Sequence, residues 1–175
     1  MTFARCLIVL AGPPCSGKST LAAELARRHA LPHLSMDATR RRIMPAAAHT
    51  RADREVAYRA MHFAAELLVQ AGVAAILDAP YGHPEDRAEL ARIRESTAAG
   101  LRWIECRVSP ETAVRRFLER GPDPIRLDLT PELVAHMVSE YRYTEAGLLL
   151  DTDQLDAAQC LARAEAWLAS APPNP

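Results

Sequence analysis

The sequence predicts a three-layer α/β fold, in which a five-stranded parallel sheet lies between two layers of helices. Three observations predict it. First, short and continuously apolar runs such as Cys6–Ala11 are typical of strands buried on both faces of a parallel sheet. Second, these runs alternate with longer segments of helical periodicity. Third, prolines and glycines separate the segments where helices begin and end. Because strand–helix–strand units join parallel neighbours by right-handed crossovers, the alternation predicts a single parallel sheet.

The first half of the chain contains three strand candidates and two helix candidates. In order, its patterns predict a strand at 6–11, a helix at about 18–29, a weaker strand at 33–35, a helix at about 51–70 and a strand at 73–77. The long helix carries apolar residues on one face at helical spacing: Val56, Ala60, Phe63 and Leu67. Gly72 ends that helix, because glycine is the preferred residue just past a helix terminus.

The second half continues the alternation and contains one irregular segment. Its patterns predict, in order, a helix at 84–99, a strand at 101–108, helices at 110–120 and from about 130, a short strand at 148–150 and a helix at 156–169. Pro84 and Pro110 suit the first turn of a helix, and Gly100 follows the end of one. The proline-rich segment 121–130 breaks regular structure, so we interpret it as a lid inserted between helices.

Length and charge limit the classes of protein that the chain can represent. Its 175 residues suffice for one well-buried core, so we expect a single domain over 1–169, a lid at about 115–140 and a disordered tail at 170–175. The formal net charge of −1 provides no general attraction to a polyanion. A strong non-specific nucleic-acid binder is usually more basic, although a local basic groove stays compatible with this composition.

The cysteines and the apolar runs indicate the cellular compartment in which the protein is expected. Four widely spaced cysteines, with no Cys-x-x-Cys pair, argue against a zinc site or a disulfide framework and favour a reducing cytoplasm: Cys6, Cys15, Cys106 and Cys160. The apolar run at 6–11 is too short for a signal peptide. No stretch approaches the roughly 20 apolar residues of a membrane span, so we expect no membrane partner.

The most specific motif is G-x-x-x-x-G-K-[ST], the phosphate-binding loop of nucleotide-hydrolysing and phosphoryl-transferring proteins. It follows the first strand and comprises Gly12, Pro13, Pro14, Cys15, Ser16, Gly17, Lys18, Ser19 and Thr20. Such a loop binds anions through successive backbone N–H groups and the positive end of the next helix. Lys18 is the only lysine among 21 lysines and arginines, and its compact ammonium suits the β- and γ-phosphates. The Ser19 hydroxyl is the expected Mg²⁺ ligand.

Acidic residues follow the second and third predicted strands, at the sheet edge where ligands gather. Asp37 and Arg40 form Asp-x-x-Arg, and on a helix this spacing puts both side chains on one face. The carboxylate there can accept the proton of an attacking hydroxyl, while the arginine holds the acceptor or orients the carboxylate. A helix N-terminal aspartate that simply pairs with a nearby arginine fits the same spacing. Asp78 can act through water on Mg²⁺, bind the acceptor, or cap the next turn.

Together with the phosphate loop, the segments 35–43 and 76–79, ahead of Arg87, resemble the small ATP-dependent kinases. This group includes polynucleotide 5′-hydroxyl kinases, zeta-type toxins and chloramphenicol phosphotransferase. The resemblance covers nearly the whole chain and implies the P-loop fold of the mononucleotide kinases, with ATP and Mg²⁺. In polynucleotide kinases the aspartate of Asp-x-x-Arg is the general base and its arginine contacts the reacting phosphate, which implies these roles for Asp37 and Arg40. Where many relatives have Asp-Ala-Thr, this chain has Asp-Ala-Pro80, which cannot supply a hydroxyl.

The helix predicted at 110–120 is similar to the corresponding helix of adenylate kinases. There the first matching arginine stacks on adenine and the second, four residues on, reaches the transferring phosphate. The resemblance implies these contacts for Arg116 and Arg120, and it makes Arg126 a further lid candidate. Guanidinium geometry suits both stacking and phosphate binding. A basic, solvated helix face explains the same arginines without a ligand.

The resulting expectation is an ATP- and Mg²⁺-dependent kinase that phosphorylates a hydroxyl. We expect the acceptor pocket between the 37–63 region and Tyr81, His83 and Arg87, with Asp78 near the acceptor or the metal. The near-zero net charge and the short lid favour a small-molecule acceptor over a polynucleotide end. Sugars, antibiotics, nucleosides and nucleic-acid ends all fit such a scaffold, and both a monomer and a homodimer are compatible with it.

Two other classes are less consistent with the sequence. A GTPase-type switch needs a guanine-selecting Asn-Lys-x-Asp, which is absent because Lys18 is the only lysine. A binding module that has lost catalysis conflicts with the presence of Lys18, Ser19 and Asp37. The six histidines show no metal-ligand spacing, so we expect each to be a surface or packing residue.

Overall fold

A single sheet of five parallel strands organises the protein, with a strand order of 2-3-1-4-5. The computed structural model describes residues 3–46, 50–121, 129–144 and 147–170. Its strands are β1 (Cys6–Ala11), β2 (His33–Ser35), β3 (Ala75–Asp78), β4 (Gly100–Arg107) and β5 (Leu148–Asp151). Its helices are α1 (Lys18–His29), α2 (Met36–Ile43), α3 (Arg51–Gln70), α4 (Pro84–Thr97), α5 (Pro110–Arg120), α6 (Pro131–Ser139) and α7 (Ala157–Ser170). The predicted three-layer fold with five parallel strands is confirmed.

The central strand β1 supplies side chains to a separate core on each face of the sheet. Leu7 and Val9 pack with buried residues of α3 and α4, whereas Ile8 and Leu10 pack with buried residues of α1 and α7. Successive side chains of a strand point to opposite faces, so a strand covered on both sides has to be apolar at every position. This is the physical reason for the uninterrupted apolar run in the sequence.

The strand register aligns the carboxyl ends of three neighbouring strands. Leu10 of β1 pairs with Asp78 of β3, and Ser35 of β2 pairs with the same Asp78. The phosphate loop leaves β1 one residue after Leu10, and Asp37 follows Ser35 by two residues. The parallel sheet therefore brings the phosphate loop and both aspartates to one edge, as expected for a ligand site in this class of fold.

The long helix α3 buries a different face from the one that the sequence suggested. The predicted apolar stripe is exposed, with relative exposures of 37% for Val56, 63% for Phe63 and 50% for Leu67. The buried face carries Ala57, Tyr58, Met61, His62, Ala65 and Val69. Apolar residues surround this helix on more than one side, and small alanines allow close contact with the sheet. Periodicity alone could not choose between the two stripes.

Several element boundaries differ from the predicted ones by one or two residues. The third strand begins at Ala75, the helix from Pro84 ends at Thr97, and the final helix includes Ser170, which the sequence had assigned to the tail. Ends shift in this way because capping and sheet pairing depend on neighbours that local patterns do not contain. Residues 171–175 and the lid candidate Arg126 lie outside the described residues.

Helices α5 and α6 form a third, smaller core that contacts the phosphate loop. Val108, Ala113, Val134 and Val138 are buried together with Cys15 of the loop. The lid expected at 115–140 therefore includes two packed helices, and 122–128 between them are outside the described residues. Within the described part of the chain, none of the helices combines the length and the apolar character that crossing a membrane requires.

Candidate active site

The phosphate loop has the backbone geometry of an anion-binding site. Gly12 has a φ of 147°, and a Cβ added there would lie 2.7 Å from both the Cys106 carbonyl oxygen and Ser16 Oγ. Gly17 has a φ of 85° and precedes α1 without a side-chain cap. The first N–H groups of α1 are therefore not capped by a side chain at Gly17, and the helix presents its positive end to the loop. The required glycines make this loop a cradle for phosphate.

Lys18 and its neighbours place donors around this cradle. The Lys18 ammonium donates to the Pro13 carbonyl oxygen at 3.4 Å and is half-buried. Ser16 is fully buried, and its Oγ has no hydrogen-bond partner among the described residues. Ser19 and Thr20 are exposed in the first turn of α1. A buried hydroxyl without a partner is unusual in a folded protein and is expected where a ligand completes the site.

A small cavity of about 130 Å³ brings together residues from three separate segments. Its polar lining includes Lys18 and Ser19 of the phosphate loop, Asp37 and Arg41 of α2, and Arg120 at the end of α5. Four of these five were predicted from the sequence. Arg41 is the residue that was not predicted, although its four-residue spacing from Asp37 was an available signal, because residues at i and i+4 of a helix share a face.

Asp37 and Arg40 lie on the same face of α2, as their spacing predicts. Ser35 caps this helix by accepting from the Ala38 N–H, which sets the first turn beside the sheet edge. Arg40 Nη2 lies 3.9 Å from Asp37 Oδ1, and the Arg40 side chain is only 4% exposed, whereas that of Asp37 is 38% exposed. Arg40 Nη2 has no hydrogen-bond partner within the described residues. A buried guanidinium with an unused donor is suited to an anionic ligand group.

Asp78 is a buried carboxylate at the centre of the sheet edge. Its Oδ2 lies 3.5 Å from His33 Nε2, and its Oδ1 is buried without a hydrogen-bond partner among the described residues. Burial raises the pKa of Asp78, but the His33 contact, the Lys18 charge and the Ser19 hydroxyl lower it further, so the pKa is below its ordinary value. Asp78 is therefore ionised at neutral pH. The sequence predicts only a surface or packing role for His33, because no local pattern links it to Asp78.

The donor set at this edge fits Mg²⁺. The described residues contain no cluster of three or more histidine, cysteine, aspartate or glutamate side chains that could hold a metal ion. Mg²⁺ is commonly held by one or two protein oxygens together with substrate phosphates and water, rather than by a protein cage. The unpartnered Asp78 Oδ1 and the exposed Ser19 beside the phosphate loop match that requirement.

A large cavity of about 1070 Å³ adjoins the phosphate loop on the other side. It is lined by residues of the loop, of α1, α5 and α7, and by Thr152 after β5. Arg116 donates to the Cys15 carbonyl oxygen at 3.2 Å, to Thr152 Oγ1 at 3.0 Å and to the Thr152 carbonyl oxygen. Arg116 thus joins the phosphate loop to the segment after β5, and Arg120 lines both cavities.

Arg87 lies at a different place from the cavities described so far. Its guanidinium donates to the carbonyl oxygens of Tyr81 at 2.9 Å, Gly82 at 3.1 Å and Arg142 at 3.4 Å. These bonds hold the turn after β3, in which Tyr81 has a positive φ of 51° and no exposed surface. Tyr81 is therefore a core residue and not an exposed wall of a pocket. Contact between Arg87 and an acceptor stays a prediction.

The fold and the phosphate loop together define a P-loop protein with the fold of the small kinases. The sheet order, the loop after the central strand and the aspartate at the end of its neighbour β3 all belong to that class. The chain belongs to the AAA_33 family, an AAA domain family, whose model matches residues 7–143. The matched range contains the phosphate loop, Asp37, Asp78 and Arg120.

A relative and three solved structures illustrate the likeness. The uncharacterized protein Rv2004c of Mycobacterium tuberculosis (strain ATCC 25618 / H37Rv) is 26% identical over 158 residues, which cover 83% of this chain and 31% of the relative. The chain thus spans less than a third of the length of the curated relatives it matches.

The solved structures show the fold. A sugar kinase from Janibacter sp. HTCC2649 aligns with a TM-score of 0.73 at 22% identity. The alignment covers 95% of this chain and 96% of the sugar kinase chain. The APS kinase CysC of Mycobacterium tuberculosis, in complex with AMPPNP and APS, aligns with a TM-score of 0.71 at 19% identity. The alignment covers 97% of this chain and 100% of the CysC chain. A chain of the Pnkp1/Rnl/Hen1 RNA repair complex aligns with a TM-score of 0.67 at 17% identity. The alignment covers 89% of this chain and 48% of that chain.

Proposed function

We propose that the protein is an ATP-dependent kinase that transfers the γ-phosphoryl group to a hydroxyl of a small molecule. The observation that carries this proposal is the small cavity, which gathers Lys18, Ser19, Asp37 and Arg120 around one space. The Asp37 carboxylate faces the same space as Lys18, where it can accept the proton of an attacking hydroxyl. Membership of a P-loop family and the fold shared with kinases support the same conclusion.

The proposed reaction assigns each residue one task. The acceptor oxygen attacks the γ-phosphorus, its proton passes to the Asp37 carboxylate, and the bond from the γ-phosphorus to the ADP oxygen breaks. Lys18, Arg40 and Arg120 stabilise the charge that spreads over the phosphoryl oxygens during transfer. Because little covalent chemistry is required of the protein, positioning and charge stabilisation supply most of the rate.

Mg²⁺ would be held by Ser19 and Asp78 together with the phosphates, and when bound it neutralises phosphate charge. The large cavity is the proposed site of the nucleotide base and ribose, because it continues from the phosphate loop and is bordered by Arg116 and Thr152. The contacts of Arg116 with Cys15 and Thr152 hold its guanidinium at this border, where one face can meet a base.

The small-molecule acceptor is favoured by the scale and the charge of the site. The small cavity measures about 130 Å³, and the chain as a whole carries a net charge of −1. A sugar kinase and an APS kinase share the fold along nearly their full length. The alternative acceptor is a polynucleotide or nucleoside 5′-hydroxyl, which the likeness to a chain of an RNA repair complex favours. A nucleotide-hydrolysing switch is a third candidate, and its product would be a conformation without a phosphorylated acceptor.

A turnover assay distinguishes these functions. The protein is incubated with MgATP and separately with a panel of sugars and sugar acids, nucleosides, aminoglycosides and a 5′-hydroxyl oligonucleotide. ADP release and label transfer from [γ-³²P]ATP are both measured. The proposal expects one small hydroxyl compound to raise ADP release and to carry the label in a one-to-one ratio. Label only on the oligonucleotide or on a nucleoside selects the alternative acceptor, and ADP release without any labelled product contradicts a kinase.

A further inference from the structure

The buried carboxylate of Asp78 has different surroundings at its two oxygens. Oδ2 lies 3.5 Å from His33 Nε2, whereas Oδ1 is buried and has no hydrogen-bond partner among the described residues. The Lys18 ammonium and the Ser19 hydroxyl also act on this carboxylate, since both lower its pKa. One oxygen is therefore occupied by an imidazole, and the other is available to a ligand.

The sheet itself brings His33 to Asp78. Parallel pairing matches His33 with Ile76 and Ser35 with Asp78, and residues at alternate positions of a strand share a face. His33 and Asp78 are thus diagonal neighbours on one face of the β2–β3 pair, within reach of a side chain as long as histidine. The His33 side chain is 26% exposed, so it is not a core-packing residue.

We propose, on the basis of the kinase function proposed above, that His33 is a positioning residue for the Mg²⁺ ligand Asp78. The imidazole Nε2–H holds Oδ2 and leaves Oδ1 for the hydrated cation. Outer contacts of this kind orient metal-binding groups, and their mutation typically lowers metal affinity by about 10- to 100-fold.

The contact also explains how Asp78 and Lys18 can serve different partners. A buried carboxylate beside an ammonium would otherwise gain most by turning towards it and forming an ion pair. Lys18 would then be drawn away from the phosphates, and Asp78 away from the cation. The contact with His33 of β2 holds the carboxylate in place, so the ammonium can reach the nucleotide.

Nucleotide binding with and without Mg²⁺ tests this role without any need for turnover. Dissociation constants of a fluorescent ATP analogue are measured in Mg²⁺ and in EDTA for wild type, His33→Ala and His33→Gln. The matched control is His29→Ala, because His29 Nε2 also faces a carboxylate, Glu165 Oε1 at 3.2 Å, at the far end of α1. The amide nitrogen of glutamine can occupy the position of the imidazole Nε2 and should retain the contact.

We expect His33→Ala to reduce the gain in affinity that Mg²⁺ provides by about tenfold, the low end for outer-shell changes at metal sites. Affinity in EDTA should stay within about twofold, His33→Gln should keep most of the gain, and His29→Ala should keep all of it. If the alanine variant does not fold, His33→Asn replaces it, since its amide is too short to reach Oδ2.

Two results would overturn the role of His33. An unchanged Mg²⁺ gain in His33→Ala would show that Asp78 needs no support from β2. Equal losses in Mg²⁺ and in EDTA would assign His33 a general structural role. Failure of the kinase function alone is distinct from both, because wild type would then bind nucleotide with a normal Mg²⁺ gain and phosphorylate no acceptor. If wild type bound no nucleotide at all, the kinase function and the positioning role would both be overturned.

Discussion

At the scale of single residues, helix α2 presents two arginines that differ in accessibility. Arg40 is buried with its guanidinium 3.9 Å from Asp37, whereas Arg41 lines the small cavity beside Asp37. Both lie within about 60° of Asp37 around a helix of 3.6 residues per turn. Arg40 keeps an unused donor beside the carboxylate for an anionic ligand group, and Arg41 adds a second guanidinium that is accessible from the cavity. Asp37 is thus the residue on which the proposed transfer depends.

Asp37→Asn should lower kcat for acceptor phosphorylation by about 100-fold or more, because an amide cannot accept the hydroxyl proton. Nucleotide affinity should change by less than about threefold, since Asn keeps the size and the polarity of the side chain. Steady-state kinetics and nucleotide titration measure the two quantities. Glu95→Gln, an exposed carboxylate on α4, is the control and should match wild type. Unaltered kcat in Asp37→Asn would remove Asp37 as the general base.

Three arginines on α5 allow a comparison within one helix. Arg120→Ala should lower kcat by about 100-fold through the loss of one charged donor from the small cavity. Arg116→Ala should mainly raise the KM for ATP, because it frees Thr152 and Cys15 from their shared partner. Arg115→Ala is the control, since Arg115 pairs only with exposed Glu119 among the described residues. An unchanged kcat in Arg120→Ala would exclude Arg120 from transition-state stabilisation.

At the scale of elements, the link from β1 to α1 determines whether the phosphate site exists. Gly12 combines a φ of 147° with a close approach to the carbonyl oxygen of Cys106 on β4. Its N–H donates to the Pro80 carbonyl oxygen at 3.3 Å, which connects the loop to the turn after β3. A side chain at this position would have to displace the backbone at Cys106 as well as the Ser16 side chain.

Gly12→Ala should abolish detectable nucleotide binding and lower the free energy of unfolding by about 3 kcal/mol. The matched control is Gly72→Ala, because Gly72 also has a positive φ, of 80°, but no atom lies within 4 Å of an added Cβ. That variant should lose only about 1–2 kcal/mol and bind nucleotide normally. Nucleotide titration and denaturant unfolding give both readouts. Equal losses of stability and equal nucleotide affinities in the two variants would mean that backbone strain alone explains the need for glycine at position 12, without the close approach to Cys106.

At the scale of the whole molecule, the central position of β1 places the phosphate loop between two different sets of partners. On one side β2 leads to Asp37 of α2 and β3 supplies Asp78, and on the other β4 and β5 lead to α5 and Thr152. The proposed acceptor and nucleotide sites therefore lie on opposite sides of one loop. Beneath the acceptor side, His62, Tyr58, Tyr81 and Trp103 form a buried aromatic cluster.

Stability should depend on pH through His62. Burial lowers the pKa of His62 to about 4, with Glu89 raising it and Arg92 lowering it to smaller extents. The imidazole lies 3.1 Å from the Tyr81 hydroxyl. Because the unfolded chain binds this proton near pH 6.5 and the folded protein only near 4, stability is lost as pH falls between these values, by about 3 kcal/mol. Above pH 6.5 His62 contributes no pH dependence.

Urea unfolding at pH 7 and at pH 4.5 measures this loss. His62→Gln removes the titrating group and should reduce the difference between the two pH values by about 2 kcal/mol or more relative to wild type. His136→Gln, an exposed histidine on α6, should leave it unchanged. Acidic residues also titrate in this range, but they do so in all three proteins. An equal pH dependence in wild type and His62→Gln would contradict the assignment.

The elements could be predicted because their signals lie in consecutive residues. Glycine and proline positions, the apolar runs of the strands and the motif from Gly12 to Thr20 each act over a few neighbouring positions. The rotation of α3 was not predictable, because Phe63 and Leu67 are as apolar as the residues that the helix buries. Which stripe meets the sheet depends on the shape of the surface opposite, and that surface comes from β1 and β3, far away in the sequence.

Local sequence patterns were enough to predict the class of fold, the phosphate-binding loop and most of the residues proposed to act on the phosphates. These depend on local backbone preference and on motifs whose spacing is built into one turn or one helix. Three relations became apparent from the folded chain alone: His33 contacts Asp78, Arg41 accompanies Asp37 in the small cavity, and Arg87 holds the turn that contains Tyr81. Those relations join segments separated by tens of residues or depend on which face of a helix is covered. Strand register and helix packing, which no short stretch of sequence contains, therefore set them.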